Sequence, residues 1–97
     1  MAISTIEKAT RLDPTDNVLY NNLGNFYQAK KDYDNAVTNY EKSISLNSKY
    51  ATSYVNLAVV QHDYLNLKEE AMQTLTDGLK EIPDDAGLKA LVEEYSK

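Results

Sequence analysis

The stretch YNNLGNFY, residues 20–27, decides how this 97-residue chain is interpreted. It recurs 34 residues later as YVNLAVVQ, residues 54–61. Both copies hold a tyrosine, an asparagine and a leucine at matching places, and a small residue follows each leucine. A fixed period of this size indicates a repeat protein built from helical hairpins, each of which buries its apolar face against its neighbours. We therefore expect the function to lie on a surface.

The composition excludes several classes of protein. The net charge is −5, from 15 acidic and 10 basic side chains that are scattered along the chain, which does not favour binding to nucleic acid or to an anionic membrane. The apolar stretches fall far below the roughly 20 residues of a membrane-spanning helix, and the N-terminus lacks the layout of a signal peptide. Cysteine is absent, which excludes disulfides and thiolate zinc sites. We expect a soluble, cytoplasmic protein.

Apolar spacing predicts two helices in residues 17–50. In the first, from Asn17 to about Lys30, apolar residues recur at the i, i+3, i+4 and i+7 positions of one helical face. Asp16 and Asp32 each precede a helix, where an aspartate can accept hydrogen bonds from the free N–H groups of the first turn. The residues predicted to face inward are Tyr20, Leu23, Gly24 and Tyr27 in the first helix and Tyr33, Ala36, Val37, Tyr40 and Ile44 in the second.

Residues 51–85 repeat this pattern in a second unit. A helix is expected from Ala51 to about Tyr64, and Asn66 and Glu69 then have the spacing of a capping box ahead of the next helix. The inward-facing residues are Tyr54, Leu57, Ala58 and Leu65 in the first helix and Ala71, Met72, Leu75, Gly78 and Leu79 in the second.

The second unit is one residue longer than the first. Tyr54 and Ala71 are 17 residues apart, whereas Tyr20 and Ala36 are 16 apart. The pattern places the inserted residue near the turn between the helices, within residues 63–70, but leaves its position in that range open.

Neither end of the chain matches a whole unit. Residues 1–16 correspond to the second half of a unit, and residues 86–97 are predicted to form a terminal solvating helix after an opening at Pro83. Together the pattern predicts about six antiparallel helices in one all-α domain. The apolar residues of these ends are Ala2, Ile6, Ala9 and Leu12 at the first and Leu88, Leu91, Val92 and Tyr95 at the second.

The first unit carries an aromatic residue, Leu-Gly, tyrosine, alanine and a second aromatic residue in a fixed spacing: Tyr20, Leu23, Gly24, Tyr27, Ala36 and Tyr40. This spacing resembles the tetratricopeptide repeat, or TPR. The second unit keeps Tyr54, Leu57, Ala71 and Pro83 but has Ala58, Gln61 and Leu75 where the pattern has glycine, tyrosine and an aromatic residue.

The resemblance implies a right-handed, TPR-like solenoid of helical hairpins that acts as a protein–protein interaction module. The first helix of each hairpin, the A helix, would line a concave groove that binds an extended peptide or a partner's helix. The side chains that would face this groove are Val18, Asn21, Asn22, Asn25 and Gln28 in the first A helix and Thr52, Val55, Asn56, Val59 and His62 in the second.

Asn22 and Asn56 lie one repeat apart and are expected to project in register. An amide both donates and accepts hydrogen bonds, so a row of amides can hold a peptide main chain without requiring particular side chains. The arrangement resembles the asparagine ladders of some peptide-binding TPR proteins. The alternative interpretation is that these asparagines are solvated helix residues without a ligand.

A different TPR mode, the carboxylate clamp that holds the C-terminus of a chaperone, is not expected. Asn25 and Asn56 match its asparagine places, but Asn21 occupies the lysine place. Gly87 and Leu91 stand in the terminal helix where cations are needed. A carboxylate in such a groove would lose water without gaining a counter-charge.

Catalysis is not expected either. His62 is the single histidine, and beside Asp63 it could act as a base or a metal ligand. A metal site or a catalytic constellation needs further partners, and the acids nearby lack a ligand-like spacing. We interpret His62 as an exposed histidine near a helix end and expect neither a metal nor a cofactor.

Self-assembly stays open as an alternative function. A half repeat at the N-terminus would leave Ile3 and Ile6 uncovered at the end of the stack, and uncovered apolar surface usually marks an interface. Two copies could then form a homo-oligomer, or the chain could be a fragment of a longer TPR scaffold. A stable dimer that blocks partner capture would favour an assembly module over an adaptor.

Overall fold

The computed structural model describes residues 15–97. In this part of the chain all regular elements are helical, and the half repeat predicted for residues 1–16, with Ile3 and Ile6, falls outside it except for Thr15 and Asp16. None of the described helices is long and apolar enough to cross a bilayer. The five helices are α1 (Asn17–Ala29), α2 (Tyr33–Leu46), α3 (Ala51–Val59, continued by a π-helical turn at Val60–Tyr64), α4 (Lys68–Glu81) and α5 (Ala86–Tyr95).

Three aspartates fix where helices begin. Asp16, Asp32 and Asp85 each precede a helix and accept a hydrogen bond from a backbone N–H of its first turn, at 2.9 to 3.4 Å between nitrogen and oxygen. A cap of this kind stabilises a helix by about 1 kcal/mol. The caps predicted at Asp16 and Asp32 are confirmed.

The helices stack as hairpins that share their cores. Consecutive helices pack together, and α3 also contacts both α1 and α5. One buried cluster joins α2 to α3 and the π turn, a second joins α3, α4 and α5, and Ile44 packs against both. Each hairpin therefore covers its apolar face with the next, as the repeat period predicts. The clusters are Ala36, Tyr40, Leu57 and Val60, and Tyr54, Ala58, Ala71, Leu75 and Leu88.

In each hairpin, a small residue of the first helix is matched with a larger residue of the second helix. In the first hairpin Gly24 faces the ring of Tyr40, and a Cβ atom at Gly24 would lie 2.5 Å from Tyr40 Cε1. The corresponding residues of the second hairpin are Ala58 and Leu75, which are completely buried in one cluster. The added methyl of alanine is accommodated because leucine replaces the larger tyrosine. This compensation explains why the second unit departs from the pattern at both positions.

The π turn absorbs the inserted residue. At Val60–Tyr64 the helix widens, and the N–H of Leu65 donates to the carbonyl of Val60 at 3.0 Å, five residues back. A single π turn inside a helix takes up one extra residue. The predicted range, residues 63–70, therefore overlaps the true position only in part.

The turn that follows is unchanged by the insertion. Residues 30–32 and 65–67 each connect an A helix to its partner. In both, the middle residue has a positive φ, 65° at Lys31 and 56° at Asn66. The turn therefore cannot contain the extra residue.

Asn66 does not cap α4, so the predicted capping box with Glu69 is wrong. The residue that precedes α4 is Leu67, and no side chain caps this helix. Asparagine is among the residues that adopt positive φ most readily. The positive φ that this turn requires therefore accounts for an asparagine at position 66.

Candidate binding surface

The A helices α1 and α3 are joined by hydrogen bonds between polar side chains. Asn56 Nδ2 donates to Asn21 Oδ1 at 3.1 Å and to Asn25 Oδ1 at 3.3 Å. Ser53 Oγ donates to Asn21 Oδ1 at 3.0 Å. The structure thus brings together three of the residues predicted for the groove. We call these side chains, with those of Tyr40, Gln28 and Ser43 described below, the amide network.

Asn21 belongs to the interior of this network, so its prediction as a partner-facing residue is wrong. Its side chain is only 2% exposed, and its Oδ1 atom is held by two residues of α3. A buried amide needs such partners, and the small side chain of Ser53 provides one at close range. The coverage of Asn21 by α3 is a result of packing between the two helices.

Ser43 anchors the network from α2 and was not among the predicted site residues. Its Oγ atom lies 2.6 Å from that of Ser53, and both serines are completely buried. The sequence holds one signal for Ser43: it occupies the same small-residue position as Gly78 in the next unit. That signal predicts close helix packing, but it does not predict a hydrogen bond.

Tyr40 anchors the network a second time from α2. Its hydroxyl lies 2.6 Å from Asn25 Oδ1 and 2.8 Å from Gln28 Oε1, and a phenol has one proton to donate to them. Burial raises the pKa of the Tyr40 hydroxyl well above its usual range, so this group remains a hydrogen-bond donor. Tyr40 therefore links the core under Gly24 to the polar surface of α1.

His62 is held at the far end of α3 by packing. Its ring stacks on the ring of Tyr95 in α5, with the centroids 3.7 Å apart and the planes 2° from parallel. Its Nδ1 atom lies 2.8 Å from Asp63 Oδ1. Because α5 covers one face of the ring, His62 is half-buried instead of exposed as predicted. Burial, with the charges of Asp63 and Glu94, raises the pKa of Tyr95.

Residues 18–50 match the family model of the tetratricopeptide repeat. They form a tetratricopeptide repeat. In this TPR, Gly24 and Tyr40 close the hairpin, and Asn25 and Gln28 lie where Tyr40 reaches the surface.

Solved structures share the fold of this chain over nearly its whole length. Three of them each align with 98% of this chain at a TM-score of 0.82. The first TPR of Spaghetti (RPAP3) bound to HSP90 peptide SRMEEVD is 23% identical over 76% of its length. The first TPR domain of human RPAP3 is 23% identical over 74% of its length. The second TPR domain of human RPAP3, in complex with HSP70 peptide SGPTIEEVD, is 18% identical over 78%.

The hairpin after the TPR of residues 18–50 uses different polar contacts. Gln61, at the place of a TPR tyrosine, is buried, and its Oε1 atom accepts a hydrogen bond from the hydroxyl of Thr74 at 2.6 Å. The residues that correspond to Asn25 and Gln28 are Val59 and His62. The amide network therefore belongs to the first TPR and its boundary with the second hairpin.

The remaining predicted groove residues differ in exposure. Val18, Asn22 and Thr52 are exposed, whereas Val55 and Val59 are half-buried. Val55 lies beside α5, where a Cβ atom at Gly87 would be 3.8 Å from Val55 Cγ2. Among the described residues, no group of three or more histidine, cysteine, aspartate or glutamate side chains could hold a metal ion.

Proposed function

We propose that this chain is a non-catalytic protein–protein interaction module that binds an extended segment of a partner along α1, α3 and α5. The observation that carries the proposal is the pair Asn25 and Asn56. These two amides come from neighbouring A helices, reach the surface, and are hydrogen-bonded to each other at 3.3 Å. Because they are held in place, they lose little conformational entropy when a ligand binds.

The comparisons support peptide binding as a use of this fold. Two of the three similar TPR domains are described as bound to peptides, one from HSP90 and one from HSP70. At 18 to 23% sequence identity, what these domains share with this chain is the fold. The chemistry of the ligand has to be argued from the residues of this chain.

For this chain we propose an internal peptide segment as the ligand, bound through its main chain. The places at which a carboxylate clamp needs cations hold Asn21, Gly87 and Leu91, and Asn21 is buried. An acidic C-terminus would therefore lose its hydration without an ion pair. Amides instead suit the N–H and C=O groups of a main chain.

The geometry proposed for the groove is a right-handed superhelix with the A helices on its concave side. The contacts of α3 with both α1 and α5 support a continuous layer of A helices. Each neutral hydrogen bond to a peptide adds about 0.5–1.5 kcal/mol. A few such bonds give weak to moderate affinity, so recognition accumulates over several contacts.

The test is capture of partners from lysate with the wild-type chain and with the double variant Asn25→Ala/Asn56→Ala. A peptide from the most enriched partner is then titrated against both chains by fluorescence anisotropy. We expect the double variant to lose this binding at least several-fold. Gln73→Ala, which removes an exposed amide of α4, serves as the matched control and should bind like the wild type.

Circular dichroism spectra and melting curves of all variants establish that they remain folded. Equal binding by the wild type and the double variant would disprove the groove as the working surface. The alternative of self-assembly stays a prediction, because it rests on Ile3 and Ile6, and the molar mass from light scattering tests it separately.

A further inference from the structure

We infer that Tyr40 is a positioning residue that fixes the orientation of two groove amides, so that Asn25 presents N–H groups and Asn56 presents its carbonyl oxygen to the ligand. This pair fits the N–H and C=O groups of one residue in an extended partner segment, in one chain direction. The inference rests on the proposed function, because it names what the same surface recognises.

The carbonyl oxygen of Asn25 is occupied from two sides. The hydroxyl of Tyr40 lies 2.6 Å away, closer than its second acceptor, Gln28 Oε1, at 2.8 Å. Asn56 Nδ2 lies 3.3 Å away. An amide oxygen accepts two hydrogen bonds through its two lone pairs. The exposed side chain of Asn25 therefore has its Nδ2 group, a donor, left for a ligand.

Asn56 has the opposite polarity. Its Nδ2 group carries two N–H bonds, which are directed to Asn21 Oδ1 at 3.1 Å and to Asn25 Oδ1 at 3.3 Å. Its own Oδ1 atom, an acceptor, is left for a ligand. The boundary between α1 and α3 thus offers one donor and one acceptor on adjacent side chains.

Both ends of this arrangement are anchored by buried hydroxyl groups of α2. Tyr40 holds Asn25, and its ring cannot shift freely because it fills the space beside Gly24. Ser43, less than one helical turn further along α2, holds Ser53, which in turn holds Asn21. Since the anchors lie in the core, solvent does not compete for them, and the amide orientations are maintained before a ligand arrives.

One residue of an extended segment complements this pair in one chain direction, because its own N–H and C=O groups point to the same side of the segment. Its C=O can accept from Asn25 while its N–H donates to Asn56. In the reverse orientation two carbonyl oxygens and two N–H groups would face each other, and both hydrogen bonds would be lost. The surface therefore selects the direction in which an extended partner segment crosses from α1 to α3.

This recognition is limited to one place in the described structure. In the second hairpin Val59, His62 and Leu75 replace Asn25, Gln28 and Tyr40. None of these three residues can reproduce the phenol-to-amide contact. The rest of the groove then contacts a ligand by its apolar and hydroxyl side chains, while the N–H and C=O groups of a single ligand residue set the direction.

The test is the substitution Tyr40→Phe, which removes the hydroxyl and keeps the ring beside Gly24. Side-chain amide signals of Asn25 and Asn56 are followed by ¹⁵N-resolved NMR, with N-acetyl-alanine-N′-methylamide, a single blocked residue, as the probe. We expect the Asn25 signals to shift and broaden as its amide rotates, and the affinity for this probe to fall about 2- to 10-fold, the loss of one hydrogen bond.

Tyr54→Phe is the matched control. The Tyr54 hydroxyl also donates a hydrogen bond, to the carbonyl of Ser48 at 2.9 Å, but it lies outside the amide network. This variant should leave the Asn25 and Asn56 signals and the probe affinity unchanged.

A second variant serves if Tyr40→Phe does not fold. Asn25→Asp keeps an acceptor for Tyr40 and for Asn56 but removes the ligand-facing N–H groups. It should lose binding of N-acetyl-alanine-N′-methylamide while the Asn56 amide signals persist.

The outcomes separate the inference from the proposed function. Unchanged Asn25 and Asn56 signals in Tyr40→Phe would overturn the role of Tyr40 and leave peptide binding intact. Failure of the wild-type chain to bind N-acetyl-alanine-N′-methylamide at these amides would overturn main-chain recognition itself.

Discussion

At the scale of single residues, Tyr40 combines packing with polar positioning. Its ring lies against Gly24 in the first hairpin, and its hydroxyl reaches the amides of α1. The glycine is required here because any Cβ atom would enter the space of the ring. This residue pair thereby connects the contact between α1 and α2 to the candidate binding surface.

Gly24→Leu tests this contact. We expect the variant to lose on the order of 1–3 kcal/mol of unfolding free energy, because the larger side chain overpacks the interface with Tyr40. The measurement is urea denaturation followed by circular dichroism. Gly87→Ala is the control: a Cβ atom there meets only Asp85 Oδ2 at 3.3 Å and Val55 Cγ2 at 3.8 Å. An unchanged midpoint for Gly24→Leu would contradict the packing of this hairpin.

The sequence predicted that Gly24 and Tyr40 face inward but not the burial of the polar residues beside them. Both residues have the spacing of a known repeat, which assigns each to the inward face of its helix. Asn21 and Ser43 could not be placed in the interior, because their burial depends on how closely α3 approaches α1 and α2. The position of Asn21 beside the inward-facing residues of an A helix suggested a groove position, and packing decided otherwise.

At the scale of elements, the π turn at Val60–Tyr64 shows that the spacing of repeat positions reveals an inserted residue but not its place in the structure. The difference between 17 and 16 residues revealed the insertion. Its place could not be predicted, because a π turn and an extended connecting loop lengthen the chain equally. The caps at Asp16 and Asp32 were predictable since their side chains act within a few residues of their own position.

Deleting Asp63 tests the assignment of the extra residue. We expect this variant to form an uninterrupted α-helix and to change the unfolding free energy by about 1 kcal/mol or less, as for a typical surface change. The measurement is thermal and urea denaturation.

Deleting Phe26 from α1 is the matched comparison. Because α1 has no π turn to remove, the deletion rotates every later residue of the helix by about 100°. It should therefore destabilise the chain severely. If deleting Asp63 were as damaging as deleting Phe26, the extra residue would not lie in the π turn.

At the scale of the whole molecule, the described hairpins depend on one another. Ile44 of α2 packs against both buried clusters, and Leu88 of α5 is completely buried in the second. The period of the sequence predicted this all-helical stack, since each unit alone cannot bury its apolar face. The exact pairing of polar groups between units needed the structure.

The buried tyrosines make the stability of the molecule sensitive to alkali. Burial raises the pKa of Tyr40 and of Tyr54, with the charges of Glu81 and Asp77 adding to the effect at Tyr54. In the unfolded chain these groups lose their protons near pH 10. Above that pH the unfolded state binds fewer protons than the folded state, so the free energy of unfolding falls as the pH rises.

We therefore expect the urea midpoint to stay constant between about pH 7 and pH 9 and to decrease from about pH 10 upward. The measurement is urea denaturation at a series of pH values. Tyr40→Phe should show a weaker decrease than the wild type, because one titrating group is removed. A wild-type midpoint that stays flat to the alkaline limit would contradict the burial of these hydroxyls.

The compensating sizes at Gly24 with Tyr40 and at Ala58 with Leu75 also bear on how similar units avoid mispairing during folding. Helices from related repeats resemble one another, and exchange of equivalent helices is a characteristic failure of repeat chains. If the helix with Ala58 paired with the helix of Tyr40, the alanine methyl would collide with the ring. If the helix with Gly24 paired with that of Leu75, a void would remain. Each first helix is thereby matched in shape to its own second helix, which disfavours domain-swapped and shifted assemblies.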